Sequence, residues 1–169
     1  NKSSKGEKGQ YFTPRYVIDM CVKMLNAHAD ETIIDTAAGS CRFPVHTIFH
    51  VGEKILEAKG LDKSHLFTLE EKPVECLDYV RDKVFAIDFD EKAVRVGRTL
   101  NLIAGDGQTN VLHLNTLDWE RWDEKTEDED WQDVYFEGWK KLKKLRADKN
   151  SNRDFRFDIL MANPPFAGD

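Results

Sequence analysis

The chain has 169 residues, a length that hides roughly 70% of the unfolded surface and supports one hydrophobic core, so a single domain is expected. Hydrophobic residues at 40% and charged residues at 33% exclude a disordered or fibrous chain, and a formal net charge of −6 argues against a protein that coats nucleic acid on its own. No apolar run approaches the roughly 18 residues of a membrane span, no signal-peptide profile opens the chain, and Cys21, Cys41 and Cys76 lack Cys-x-x-Cys spacing, so no membrane, no disulfide framework, no metal and a reducing cytoplasm are expected.

Residues 1–12 are polar and read as a flexible lead-in. Thr13-Pro14 has the form of a helix start, Thr13 as N-cap and Pro14 at the first helical position. Val17, Met20 or Cys21, Met24 and Leu25 follow at helical spacing and carry an amphipathic helix to about Ala27. A β-branched run at 32–36 predicts a strand ending near Asp35, and small residues follow before a helix over 43–59. Pro73 opens a short helix to Val80, residues 83–89 form a second strand, and a helix over 91–104 precedes a third strand at 111–114. Residues 123–133 hold seven acids against one Lys, and 140–149 hold six Lys or Arg against one Asp, so this stretch reads as an acidic loop entering an amphipathic helix with a basic, solvated face. Trp131, Tyr135, Trp139, Leu142 and Leu145 fall at helical spacing there and are expected to pack rather than stack on bases. A fourth strand at 157–161 runs directly into Asn163-Pro164-Pro165-Phe166. Strands alternating with helices predict a parallel α/β sheet.

That last loop carries the strongest chemical signal, because α/β proteins place ligands at the carboxyl ends of parallel strands. Two prolines remove N–H donors and leave acceptors, the Asn163 side-chain oxygen and the Pro164 carbonyl. Two fixed acceptors suit an amino group on an aromatic ring and favour the positive charge that develops when its nitrogen is alkylated. Phe166 supplies a flat face for that ring. The bland alternative is a turn that ends a strand, with Phe166 in the core. A second signal is Asp35-Thr36-Ala37-Ala38-Gly39-Ser40-Cys41-Arg42-Phe43, where small residues let a ligand approach the backbone and a helix N-terminus favours a carboxylate. Its single glycine is not the dinucleotide fingerprint. Asp88 at the end of strand two can accept from ribose hydroxyls, and Asn115 at the end of strand three can pair with an adenine edge. His46 and His50 stand four apart, a metal-binding spacing without an evident third ligand, and read as ordinary core or surface histidines.

Taken with Gly9-Gln10-Tyr11-Phe12-Thr13-Pro14, these segments resemble, in order and spacing over about residues 6–168, the N6-adenine DNA methyltransferase (modification) subunits of type I restriction–modification systems. The resemblance implies a Rossmann-like fold of the S-adenosylmethionine-dependent methyltransferases, present in part as about four parallel strands with flanking helices. Residues 13–169 would be the front part of the catalytic domain, with 119–154 as an insertion, the rest of the domain absent, and the isolated stretch inactive. It implies an S-adenosylmethionine cofactor, double-stranded DNA with a flipped adenine, and specificity and restriction subunits as partners. By the same resemblance Thr13 would hold the methionine carboxylate, and Asp35, Ala37 and Gly39 would line the methionine moiety. Asp88 would take the ribose hydroxyls and Asn115 the cofactor adenine. Asn163, Pro164, Pro165 and Phe166 would form the catalytic loop. The chain departs from the family's Asp-Pro-Ala-Cys-Gly-Thr-Gly-Gly-Phe pattern chiefly in Cys41 and Arg42, which replace two glycines and add side chains beside the cofactor site, and in Asn115, which replaces an Asp. Alternative readings are a methyltransferase of protein glutamine or RNA guanine, and a non-catalytic subunit with a decayed cofactor pocket.

Overall fold

The computed structural model describes residues 13–68, 70–104, 110–117, 122–146 and 155–164. Four parallel strands, β1 (Ile33–Asp35), β2 (Val84–Asp88), β3 (Val111–His113) and β4 (Ile159–Leu160), form one sheet in the order β3-β2-β1-β4. The helices are α1 (Arg15–Leu25), α2 (Arg42–Lys59), α3 (Val74–Lys83), α4 (Glu91–Ala104), α5 (Trp122–Lys125) and α6 (Glu129–Lys144), with a 3-10 turn at Lys63–Leu66. Every expected strand and long helix is present, shorter by a few residues at the strand ends.

The order reverses at β1. From it the chain steps outward through β2 to β3, then returns to place β4 on the other side of β1. In open α/β sheets a crevice forms at the carboxyl ends of the strands where the order reverses, here between β1 and β4. Side-chain alternation divides the core. Ile33 and Val84 pack with Ile18, Val22, Phe43, Ile48, Val51 and Tyr79 of α1, α2 and α3, whereas Ile34 and Phe85 share a cluster with Trp131, Trp139 and Leu142 of α6.

Three local expectations are corrected. Pro14, not Thr13, occupies the N-cap of α1, and the helix ends at Asn26 in the left-handed region. Its buried residues are Ile18 and Val22, while Met20, Met24 and Leu25 are exposed. Apolar residues surround this helix, and docking on α2 rather than spacing selected the inward face. Finally, the acidic stretch is largely helical: α5 begins within it, and Asp128 caps α6 by accepting from the Trp131 N–H at 3.1 Å. Glu129 and Asp130 in the first turn of α6 and Lys141, Lys143 and Lys144 in its last suit the helix dipole at both ends. Trp131, Trp139 and Leu142 pack as expected, while the side chain of Tyr135 lies outside the described residues.

Candidate functional site

Parallel strands aim their carboxyl ends at one rim, and the candidate residues collect there because each lies at or just beyond a strand end. Register fixes their relative height. Asp35, the last residue of β1, pairs with Ala86, so β2 continues past it to Asp88. Asp88 therefore reaches over the loop leaving β1, where its Oδ2 accepts from the Gly39 N–H at 2.7 Å and its Oδ1 from the Asp90 N–H at 2.8 Å. Asp35 is 2% exposed and accepts from the Ala37 N–H at 3.1 Å. Burial pushes its carboxyl up to about 7; the Ala37 N–H opposes this, and the neighbouring charge of Asp88 adds to it. The rim thus holds two neighbouring acids, and burial does more than their mutual repulsion to keep a proton on Asp35.

Gly39 has φ +52°, and a Cβ built on it would meet nothing within 4 Å, so the loop both requires glycine and leaves space beside it. The two side chains added after it do not fill that space. Cys41 is fully buried, adopts φ +58°, and turns its sulfur toward α4, where a Cβ on Gly97 would lie 2.5 Å from Sγ. Arg42 is exposed and its Nη1 donates to the Thr13 carbonyl at 3.3 Å. The narrowing expected from Cys41 and Arg42 is therefore absent. The loop's N–H groups are also engaged within the protein: Ala37 to Asp35, Gly39 to Asp88, Ala38 to the Ile87 carbonyl and Cys41 to the Ala38 carbonyl.

Across the crevice, Asn163 follows β4, and its Nδ2 donates to Thr13 Oγ1 at 2.9 Å over a sequence separation of 150. That contact explains why the hydroxyl of Thr13 does not cap α1. Pro164 is exposed on the same loop, whereas Pro165 and Phe166 lie outside the described residues. Asn115 is exposed and its Oδ1 accepts from the Leu117 N–H at 3.1 Å, so this amide oxygen shapes its own turn. Its neighbour Thr116 instead joins the rim, donating to the Thr36 carbonyl at 2.7 Å.

The structure therefore brings together Asp35, Asp88, Ala37 and Gly39 on one side and Thr13 with Asn163 on the other. Sequence reasoning passed over Phe89, 63% exposed directly after Asp88, and Leu117, 92% exposed after β3, two apolar surfaces at the rim. A large apolar residue immediately following a strand-end acid was the available signal. His46 and His50 belong elsewhere: His46 Nδ1 pairs with Asp19 at 2.6 Å, and His50 Nε2 with Asn26 at 3.2 Å, both linking α2 to α1 or its cap. Among the described residues no group of three or more ligating side chains is placed to hold a metal ion, and no helix is long and apolar enough to cross a membrane.

Comparison with known proteins agrees with the fold. A modification subunit of a type I restriction enzyme from Vibrio vulnificus YJ016 superimposes with a TM-score of 0.56 at 19% identity, covering 97% of this chain and 25% of that one. The chain therefore shares the fold of that protein and spans about a quarter of its length. The M protein of the type I restriction enzyme EcoKI aligns with 60% of this chain and 20% of its own at 21% identity, with a TM-score of 0.43 that is too low to carry an argument. No curated protein matches the chain. The profile of the N-6 DNA methylases matches residues 1–169 throughout, and the chain belongs to that family, whose members need a methyl donor.

Proposed function

We propose that this chain carries the donor-binding half and the catalytic loop of a type I modification subunit, which transfers a methyl group from S-adenosylmethionine to the N6 amino group of adenine in double-stranded DNA. The observation that carries the reading is the placement of Asn163 beside Thr13 across the crevice from the Asp35–Asp88 pair, in a chain matched over its whole length by the N-6 DNA methylases.

The residues present fit that donor. Two repelling carboxylates gain from a cation beside them, and S-adenosylmethionine has both an ammonium and a sulfonium. Open space at Gly39 admits the methionine chain, with Ala37 lining it. Each oxygen of Asp88 accepts one backbone N–H and keeps a lone pair for a ribose hydroxyl. Phe89 and Leu117 offer apolar surface to the cofactor adenine, with Asn115 on the turn between β3 and Leu117. When bound, the cofactor supplies an electrophilic methyl group. The protein's own contribution is position: Asn163 Oδ1 and the Pro164 carbonyl accept from the target amino group and favour the charge that grows on its nitrogen. Phe166, next to Pro165 in the same loop, is the residue assigned to stack on the flipped base. In a direct displacement, the methyl group would pass from the donor's sulfur to the amino nitrogen that Asn163 and the Pro164 carbonyl hold. Specificity and restriction subunits complete the system in the cytoplasm.

The test is methyl transfer by the full-length subunit with its partners on unmethylated DNA, read as N6-methyladenine in the nucleoside digest. Asn163→Ala is expected to slow transfer by about 100-fold or more, with donor affinity retained. Methyl groups found on protein or RNA instead of adenine, or an unaffected Asn163→Ala enzyme, would overturn the assignment.

A further inference from the structure

We propose that Arg42 is a positioning residue, which acts through Thr13 to join the loop leaving β1 to Asn163 on the loop leaving β4. The inference rests on the reading of Asn163 as the residue that accepts from the target amino group.

The geometry is a two-link brace. Arg42 Nη1 donates to the Thr13 carbonyl at 3.3 Å, and the Asn163 amide donates through Nδ2 to Thr13 Oγ1 at 2.9 Å. Arg42 is the first residue of α2, directly after Cys41, and its backbone is rigidly placed because Cys41 is fully buried against α4. Thr13 precedes the Pro14 cap of α1, so it lies two residues before a helix that packs along α2. Holding its carbonyl fixes the direction in which its side chain leaves the backbone. The hydroxyl then receives Nδ2 of Asn163, which leaves Oδ1 as the acceptor end of that amide.

One consequence concerns the departure from the family pattern. The family carries glycine at the position of Arg42, which has no side chain to reach Thr13. In this chain the arginine supplies a link between the donor side and the target side of the crevice, in addition to the pairing of β4 with β1 and the packing of Met161 in the shared core. A second consequence is kinetic. The brace reaches Asn163 directly and the donor only through the Thr13 hydroxyl, so its loss is felt more in alignment at Asn163 than in donor binding.

The experiment compares the full-length enzyme with Arg42→Ala, Arg42→Lys, Thr13→Val and Thr13→Ser forms. Donor affinity is measured by calorimetry and turnover at saturating donor and unmethylated DNA. In Arg42→Ala, kcat is expected to fall by roughly tenfold while the donor Kd rises by a smaller factor, about twofold to threefold. Lysine at 42 recovers part of the rate because an ammonium also donates to a carbonyl, and serine at 13 recovers more than valine. A readout independent of turnover is the side-chain amide resonance of Asn163, identified by its loss in Asn163→Asp. It shifts in Arg42→Ala and in Thr13→Val, whereas the Asn110 amide, which donates to the Val80 and Arg81 carbonyls on another part of the fold, keeps its position. An Arg42→Ala enzyme with kcat within twofold of the parent, or one whose donor affinity falls by the same factor as its rate, overturns the brace. If the parent enzyme methylates no adenine while the Asn163 resonance still follows Arg42, the brace stands and the proposed reaction falls.

Discussion

Replacing Gly97 by alanine tests how the loop leaving β1 is held. The new Cβ would lie 2.5 Å from Cys41 Sγ, 3.4 Å from Cys41 Cβ and 3.5 Å from Val111 Cγ1. The first distance falls short of ordinary van der Waals contact by about 1 Å. Cysteine has a single side-chain torsion, Cys41 is fully buried, and its backbone already sits at φ +58°, so the sulfur cannot move without carrying the loop. Alanine in a helix interior otherwise gains about 1 kcal/mol over glycine. Overpacking of a filled core costs about 1–3 kcal/mol. The net expectation is a loss of up to about 2 kcal/mol, read as a shifted urea midpoint with an unchanged slope.

The second arm removes the sulfur. Cys41→Gly relieves a left-handed non-glycine residue, worth about 1 kcal/mol, and forfeits a buried thiol of similar value, so alone it is close to neutral. In the Cys41→Gly, Gly97→Ala double variant the clash is gone and alanine's helix preference remains. A coupling of about 1–2 kcal/mol between the two sites follows. Donor affinity follows the same pattern, since Cys41 and Gly39 belong to one loop. Gly97→Ala that stabilises the protein, or single effects that add within about 0.5 kcal/mol, would refute the claim that this contact sets the approach of loop and helix.

Two further outcomes concern buried polar groups. Asp35, with its carboxyl raised to about 7 against 3.8 when unfolded, binds its proton more tightly in the folded state, so its contribution to stability falls as pH rises from about 4 to 7. Asp35→Asn is therefore expected to be more stable than the parent above pH 7, by up to about 4 kcal/mol, and equal to it near pH 4, while binding the donor poorly; a stability difference independent of pH would count against the burial argument. The Tyr79 hydroxyl is buried with no hydrogen-bond partner among the described residues, so Tyr79→Phe is expected to gain about 1 kcal/mol in thermal unfolding, and a loss of that size would show that the hydroxyl is satisfied.

The strands and the four longest helices could be read from the sequence because each rests on local chemistry: β-branched runs, helical apolar spacing and small residues after Asp35. What could not be read depends on contacts distant in the chain. Thr13 has the residue type of an N-cap, but its hydroxyl meets Asn163, a partner 150 positions away. Met20 and Met24 fit the helical spacing as well as Ile18 and Val22 do, and only docking on α2 separates them. Asp35 and Asp88 were both picked out as strand-end acids, yet their mutual repulsion comes from the parallel register and has no trace in either segment. Cys41 and Arg42 looked like obstructions because a sequence shows that side chains are added without showing where they point.

The polarity of the crevice follows from which donors the loop leaving β1 retains. A loop before a helix would ordinarily present N–H groups to an anion. Here Ala37, Ala38, Gly39 and Cys41 all direct theirs inward, to Asp35, the Ile87 carbonyl, Asp88 and the Ala38 carbonyl. An anionic group entering beside Gly39 therefore meets the carboxylate of Asp88, and that of Asp35 when it is ionised, without those four donors. A zwitterionic ligand must enter with its cationic end toward Asp35 and its carboxylate turned away, toward the hydroxyl of Thr13, which accepts from Asn163 and keeps its own proton to donate. On the proposed reading this orientation sets the donor's carboxylate on the same hydroxyl that orients the target-binding amide. The expected signature is that Thr13→Val, which removes the hydroxyl, weakens donor binding and slows turnover together, whereas Arg42→Ala, which only loosens it, slows turnover by a larger factor than it weakens donor binding.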